Sequence, residues 1–417
     1  MPKLDRFDIE FDNPLAVYYA GTILKGKVVI VLNAPMEMRG VRLTFTGNAR
    51  TNWTETRWSG RSSATSYKGH VTYFENEITV WGNTPGADGP TPVMPAGTHT
   101  FDFTYPLPPT CPSSFEGVNA YGSIRYLVEC KIDRPWKFDH KTKRPFTLLG
   151  ALDLNADPAA AQPQSNSGEK TPGFLCCTAG QITCQVRLPK GGYVPGEVVA
   201  VSAEINNRSS RRVGSVRMRL IQNIVFMAPY NEGTRSKREE VILGEAVKSE
   251  QVAPGATQIW DNEGIRLPPV PITLTSCPVI NISYVIEFTI TPGGPSLGLT
   301  VTLPFTVGSV PLRQQMPQLQ QTFRQFSIDH GNKPNSGFPP MYPNVVQPLA
   351  SSGVDVYPGL PPPTFAETTT GRVNIKDDTD NEHTRGQLEF APRYPYYDWA
   401  TAPADQSTHT SAKNDPR

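Results

Sequence analysis

Ile124-Arg125-Tyr126-Leu127-Val128-Glu129-Cys130-Lys131-Ile132 and Ile282-Ser283-Tyr284-Val285-Ile286-Glu287-Phe288-Thr289-Ile290 decide the fold class. In both, every second residue is apolar and most of the others are polar. A period of two is that of a β-strand with one dry face and one wet face. The same alternation recurs in Val41, Leu43 and Phe45, in Phe101, Phe103 and Tyr105, and in Val216, Met218 and Leu220. Gly, Pro, Asn and Asp punctuate these runs as turns, and no strong amphipathic helix pattern interrupts them. Many one-faced strands bury their apolar sides only by stacking sheet on sheet, so the pattern predicts an all-β chain of sandwich type.

The two opening stretches also belong to a loose repeat. Leu107-Pro108-Pro109 precedes the first, and Leu267-Pro268-Pro269 precedes the second. Earlier, Tyr19-Ala20-Gly21 leads through a valine-rich run to Gly40-Val41-Arg42-Leu43. Tyr193-Val194-Pro195-Gly196 leads likewise to Gly214-Ser215-Val216-Arg217-Met218. Duplication of one sandwich accounts for this order. It places a first domain at 1–155, a linker at 156–172 and a second domain at 173–312. The segment 313–417 holds a third of the 42 prolines in a quarter of the chain and is rich in Gln, Asn, Ser and Asp. Such composition buries too little apolar surface to offset ordering entropy, which predicts a disordered tail.

Other features narrow the function by exclusion. The formal charge of +1 on 417 residues lacks the basic surplus that phosphate-backbone recognition needs. Met1-Pro2-Lys3-Leu4-Asp5-Arg6 is followed by no apolar signal core, and no apolar run reaches the ~20 residues of a membrane span. The expectation is a cytoplasmic protein, with its six cysteines as free thiols. Triplets at Asn52, Asn207 and Asn281 match the glycosylation pattern, but without a secretory route they are chance. No H-E-x-x-H, G-x-S-x-G or Walker loop occurs, so an enzyme is not expected and no catalytic residue is assigned. Cys176, Cys177, Cys184 and Cys277 lack the paired spacing of a zinc site, so neither metal nor cofactor is expected.

Several segments, in order, resemble the α-arrestins, the arrestin-domain-containing proteins. Cys111-Pro112-Ser113-Ser114-Phe115-Glu116-Gly117 and Asp133-Arg134-Pro135-Trp136 look like the end of their N-terminal domain. Gly191-Gly192-Tyr193-Val194-Pro195-Gly196-Glu197 looks like the start of their C-terminal domain, and Pro304-Phe305-Thr306-Val307-Gly308 like its close. The resemblance implies two tandem arrestin-type, immunoglobulin-like β-sandwiches without catalysis. It implies an adaptor for membrane receptors or transporters, recruited to plasma membrane and endosomes. The alternative is a ligase-independent endosomal sorting scaffold resembling the arrestin-like subunit of retromer.

The sharpest tail motif is Pro339-Pro340-Met341-Tyr342, a PPxY sequence. The proline pair holds polyproline II, so it docks in a WW-domain groove with little entropy loss, and Tyr342 fills the adjoining pocket. The bland reading is a proline-rich spacer. The resemblance implies that WW-domain HECT-type ubiquitin ligases are the readers. Pro362-Pro363-Thr364-Phe365 is a degenerate second copy lacking the tyrosine hydroxyl, with weak WW binding at most. Tyr357-Pro358-Gly359-Leu360 resembles the YPxL motif of ALIX-type sorting proteins, a short pattern that is also common by chance. Phe390 to Trp399 form an aromatic island that either folds back on a sandwich edge or serves as a docking peptide. Arg208, Arg211, Arg212, Arg217, Arg219, Arg235, Lys237 and Arg238 form either a lipid- or phosphate-facing patch or a solvated face.

Overall fold

A computed structural model describes residues 3–58, 62–87, 89–171, 173–174, 177–178, 180–249, 251–293, 297–313 and 363–398. Strands dominate it, and the helical pieces among these residues are the short 3-10 turns Leu154–Ala156 and Pro158–Ala161. None of the described helices is long and apolar enough to cross a membrane.

The chain forms two sandwiches in tandem. In the first, Leu4–Phe11, Ile23–Leu32 and Gly97–Pro106 make one sheet. The facing sheet runs Val17–Tyr19, His140–Leu149, Gly122–Asp133, Gly40–Trp58, Ser62–Gly82. In the second, Gln164–Lys170, Ile182–Leu188, Val198–Asn207 and Thr257–Arg266 face a sheet ordered Gly192–Tyr193, Leu299–Val307, Ile280–Pro292, Val213–Tyr230, Gly233–Lys248.

The duplication therefore extends to topology. Each five-strand order begins with a short strand paired parallel to its neighbour, Val17–Tyr19 in one and Gly192–Tyr193 in the other. Each ends in a long antiparallel hairpin. Even a buried polar detail repeats. Tyr126 donates its hydroxyl to the Pro112 carbonyl, and Tyr284 donates to that of Pro271. A buried phenol must find such an acceptor, and the proline-bearing loop supplies it in both halves.

The alternating residues point where the pattern puts them. Ile124, Tyr126, Val128, Cys130 and Ile132 are buried, as are Ile282, Tyr284, Ile286, Phe288 and Ile290. Each large apolar side chain moved from water contributes about 1.5–3 kcal/mol, so these strands are the folding spine of both cores.

Where the two long hairpins meet, Phe226 of the second domain is fully buried against the first. Its ring lies 6.4 Å from that of Phe115 and 5.9 Å from that of Tyr121. The fit needs glycine, since a Cβ on Gly122 would stand 2.7 Å from the Phe226 ring. Thr51 Oγ1 donates to the Met227 carbonyl at 2.8 Å, and Tyr73 Oη donates to Cys277 Sγ at 3.3 Å.

Two expectations need correction. The linker at 156–172 carries the strand Gln164–Lys170, paired antiparallel with Ile182–Leu188 as an edge of the second sandwich. Its small polar residues suit an exposed edge, which the local composition does not distinguish from a loop. Disorder throughout 313–417 does not hold for residues 363–398. That stretch folds back as strands Thr364–Glu367, Val373–Asn374, Thr384–Gly386, Glu389–Phe390 and Arg393–Tyr396.

Candidate docking surfaces

The returning segment 363–398 is held at three places. Thr384–Gly386 adds a parallel strand beside His140–Leu149, pairing Lys141 with Thr384 and Lys143 with Gly386. There the buried Lys143 ammonium lies 2.7 Å from both Asp377 and Asp380 and 3.6 Å from Glu129. Burial alone would push the Asp377 carboxyl up. Hydrogen bonds from Lys143 and Thr379 outweigh it and hold the group at about 2. Burial would lower the Lys143 ammonium in turn, but the hydrogen bonds it donates to both aspartates outweigh that and raise it.

Further along, Tyr394 is buried against Val17 and Leu149, and its hydroxyl donates to the Ser114 carbonyl at 3.0 Å. Arg393 reaches the Leu15 carbonyl at 3.3 Å and Glu367 at 3.0 Å. Finally Tyr397 enters an apolar cluster of Leu154, Ala160, Val194 and Leu312. Its hydroxyl donates to the Ser309 carbonyl at 2.8 Å, and its N–H donates to the Pro195 carbonyl at 3.1 Å. The segment thus straps the first sandwich to the second. Gly196 explains why a glycine stands under it, since its φ is +98° and a Cβ would lie 2.1 Å from the Tyr397 carbonyl oxygen.

A second surface is the crest where the long hairpins cross. Trp53 stacks on Tyr67 at 5.4 Å, and Tyr67 meets Tyr230 edge-on at 5.0 Å. Arg235 lies over the Tyr230 ring at 5.7 Å, and Lys237 lies over Tyr121 at 5.4 Å. Asn119 donates both its backbone N–H and its side-chain amide to Glu239 across the domain boundary, at 3.2 and 2.6 Å. Trp53 and Tyr67 are buried there, so the rings, with Arg235 and Lys237 over Tyr230 and Tyr121, fasten the two hairpins to each other.

Pro339, Pro340 and Tyr342 lie outside the described residues, as do Tyr357, Pro358, Leu360 and Pro362. The described flanks of that stretch are both secured on the body. Leu312 is buried and the Arg313 N–H donates to Asn155 Oδ1 at 3.0 Å, while the strand from Thr364 pairs with Arg393–Tyr396. Phe365, candidate anchor of the second motif, sits in that ladder opposite Pro395, with its ring 6.4 Å from that of Tyr19. The geometry is a paired strand rather than polyproline II.

Three residues of the basic cluster are engaged by neighbours of their own. Arg217 pairs with Glu245 at 3.1 Å, Arg219 pairs with Glu287, and Arg212 donates to Gln251 at 3.3 Å. Cys184 and Cys277 are buried, and Cys176 lies outside the described residues. Among the described residues no group of His, Cys, Asp and Glu could hold a metal ion. The strap and its Lys143 clasp were missed by sequence reasoning. The one available signal was the aromatic island, and the first of its two readings, folding back on a sandwich, is what the structure has.

Comparison with known proteins agrees with this architecture. The family model described as Arrestin (or S-antigen), N-terminal domain, matches residues 7–155. The one described as Arrestin (or S-antigen), C-terminal domain, matches residues 178–312. The chain is 29% identical over 435 residues to Arrestin domain-containing protein 17 of Caenorhabditis elegans, covering 95% of this chain and 100% of that one. It is 28% identical to Arrestin domain-containing protein 4 of Homo sapiens, covering 76% and 74%. It is 30% identical to Arrestin domain-containing protein 1 of Mus musculus, covering 75% and 66%.

Proposed function

The chain belongs to the arrestin-domain-containing, or α-arrestin, family, and from that membership we propose that it recruits WW-domain HECT-type ubiquitin ligases to membrane-protein cargo through Pro339-Pro340-Met341-Tyr342. The family supplies the broader role, an arrestin-type adaptor that binds other proteins. The observation that carries the finer reading is the PPxY sequence itself, placed between two secured flanks, Arg313 and Thr364. A ligase bound at Tyr342 is then tethered to the sandwiches from both sides. Its local concentration at any cargo they hold is high, without contacts between ligase and cargo.

Tyr342 rather than Phe365 is the anchor in this reading. Phe365 would have to leave its strand to enter a WW groove, and it brings no hydroxyl. The cargo is a receptor or transporter held by the sandwiches. Ubiquitination, endocytosis and endosomal sorting follow. Tyr357-Pro358-Gly359-Leu360, on the same tethered stretch, would engage ALIX-type sorting proteins.

Proximity labelling in the source cells tests this. Wild type should label HECT-type ligases and membrane cargo, while Tyr342→Ala should lose the ligases and keep the cargo. Equal ligase labelling by the two forms rejects the assignment.

A further inference from the structure

Trp136 is fully exposed, and Phe138, two residues on, is 72% exposed. Both lie in the turn that joins Gly122–Asp133 to His140–Leu149. Trp136 also has a φ of +59°, in the left-handed region that bulky side chains avoid and that Gly or Asn fills more easily. The turn is tied in place. The Arg134 N–H donates to Asp139 Oδ1 at 3.1 Å, and the Arg134 guanidinium donates to the Phe138 carbonyl at 2.9 Å. An ordered turn therefore holds Trp136 wholly out in solvent, and Phe138 keeps most of its ring exposed with its centroid 6.2 Å from that of His383.

Beside this tip opens a cavity of about 610 Å³ whose wall includes Lys3, Arg134, Lys137, His140 and Arg385. Glu37 is the acidic side chain on that wall. Arg385 comes from the returning strap and donates to the Asp5 carbonyl at 3.2 Å, so the strap completes the basic wall. The field there is positive. Burial first, and then the charges of Arg134, His383 and Arg385, lower the His140 imidazole to about 4.

We propose that this corner docks the protein on an anionic phospholipid membrane, with Trp136 and Phe138 entering the interfacial layer and lipid phosphates entering the basic cavity. Indole rings prefer the headgroup level, where the ring body is dry and the N–H is wet. Lysine and arginine beside them gain from the negative potential of the leaflet. A protruding pair of rings suits a deformable lipid surface better than a rigid protein face, which would need a matching pocket for each. The site is separate from the PPxY sequence, and this inference stands whether or not Tyr342 binds a ligase.

The test uses the full chain with vesicles of phosphatidylcholine alone and of phosphatidylcholine mixed with phosphatidylserine. Co-sedimentation and tryptophan quenching by brominated lipid tails are the readouts. The anionic vesicles should bind at least about tenfold more tightly than the neutral ones, and the quenching should vanish in Trp136→Asn. Asn tolerates the local backbone, so that variant should fold with an unchanged or raised thermal midpoint. Lys137→Glu, which keeps the rings, should weaken binding to anionic vesicles by about tenfold and lose its salt dependence in part.

Soluble inositol hexakisphosphate separates the two sources of phosphate. Vesicle binding that is indifferent to Trp136→Asn, together with unchanged capture of the soluble anion, would make the cavity a free-polyphosphate site and overturn the proposal. No binding to anionic vesicles at low ionic strength would overturn it as well.

Discussion

Lys143 shows how far one residue can reach. It follows Lys141 and Thr142 in a strand where a lysine would ordinarily face water, yet its ammonium is buried and held by Asp377, 234 residues away in sequence. An ammonium leaves water only when paired, so the strap's aspartates are part of the cost and the compensation of burying it. The pH dependence follows from the sign of the shift. Asp377 is lowered from 3.8 to about 2 on docking, so its contribution is complete above 3.8 and disappears as pH falls towards 2. Hydrogen exchange of residues 373–390 should stay slow at neutral and mildly acidic pH and accelerate across that window. In Lys143→Met, Asp380 keeps its buried place without its counter-ion, so strap docking should weaken by about 3–5 kcal/mol already at neutral pH. Unchanged protection in that variant would remove Lys143 from the clasp. Nothing local in the sequence exposes this residue, because its partners are brought to it only by tertiary topology.

Among the elements, strands were legible and the strap was not. Ile124 to Ile132 carry their own signature, since the period of two records which face is dry whatever the partner strand. The strap has no such record. Its strands are short, and its buried residues Ile375, Phe390, Tyr394 and Tyr397 are scattered among polar ones, so composition reads as disorder. What orders them is surface provided by other elements: the Val17–Leu149 face for Tyr394 and the Leu154–Leu312 cluster for Tyr397. The Gln164–Lys170 edge escaped notice for the same reason, as its partner supplies the apolar side. Gly386 gives a test confined to this element. Its φ is +94°, and a Cβ would stand 2.3 Å from the Lys143 carbonyl oxygen. Gly386→Ala should therefore abolish exchange protection in residues 373–398 while the thermal midpoint of the sandwiches moves little. A variant as protected as wild type would mean that the strap tolerates a shift of its backbone.

At the scale of the molecule, the described residues form two copies of one sandwich, a plug between them and a strap across them. The duplication was legible because each half repeats the same landmarks, including Leu107-Pro108-Pro109 and Leu267-Pro268-Pro269 ahead of the matching strands. The plug was not, since Phe226 alternates like any strand residue and only the facing Gly117 and Gly122 give it room. Truncating it in Phe226→Ala should cost about 3–5 kcal/mol and uncouple the domains, seen as two thermal transitions in place of one. A single unshifted transition would show that the strap alone couples them. The PPxY sequence is a reading from its own residues, since proline pairs favour polyproline II without a fold, and it lies outside the described residues. Isothermal titration of an isolated HECT-ligase WW domain into the intact protein is the direct measurement of the central claim. Wild type and Phe365→Ala should bind one domain with equal affinity, and Tyr342→Ala should give no heat of binding. Saturable binding to Tyr342→Ala with the wild-type constant would contradict the account.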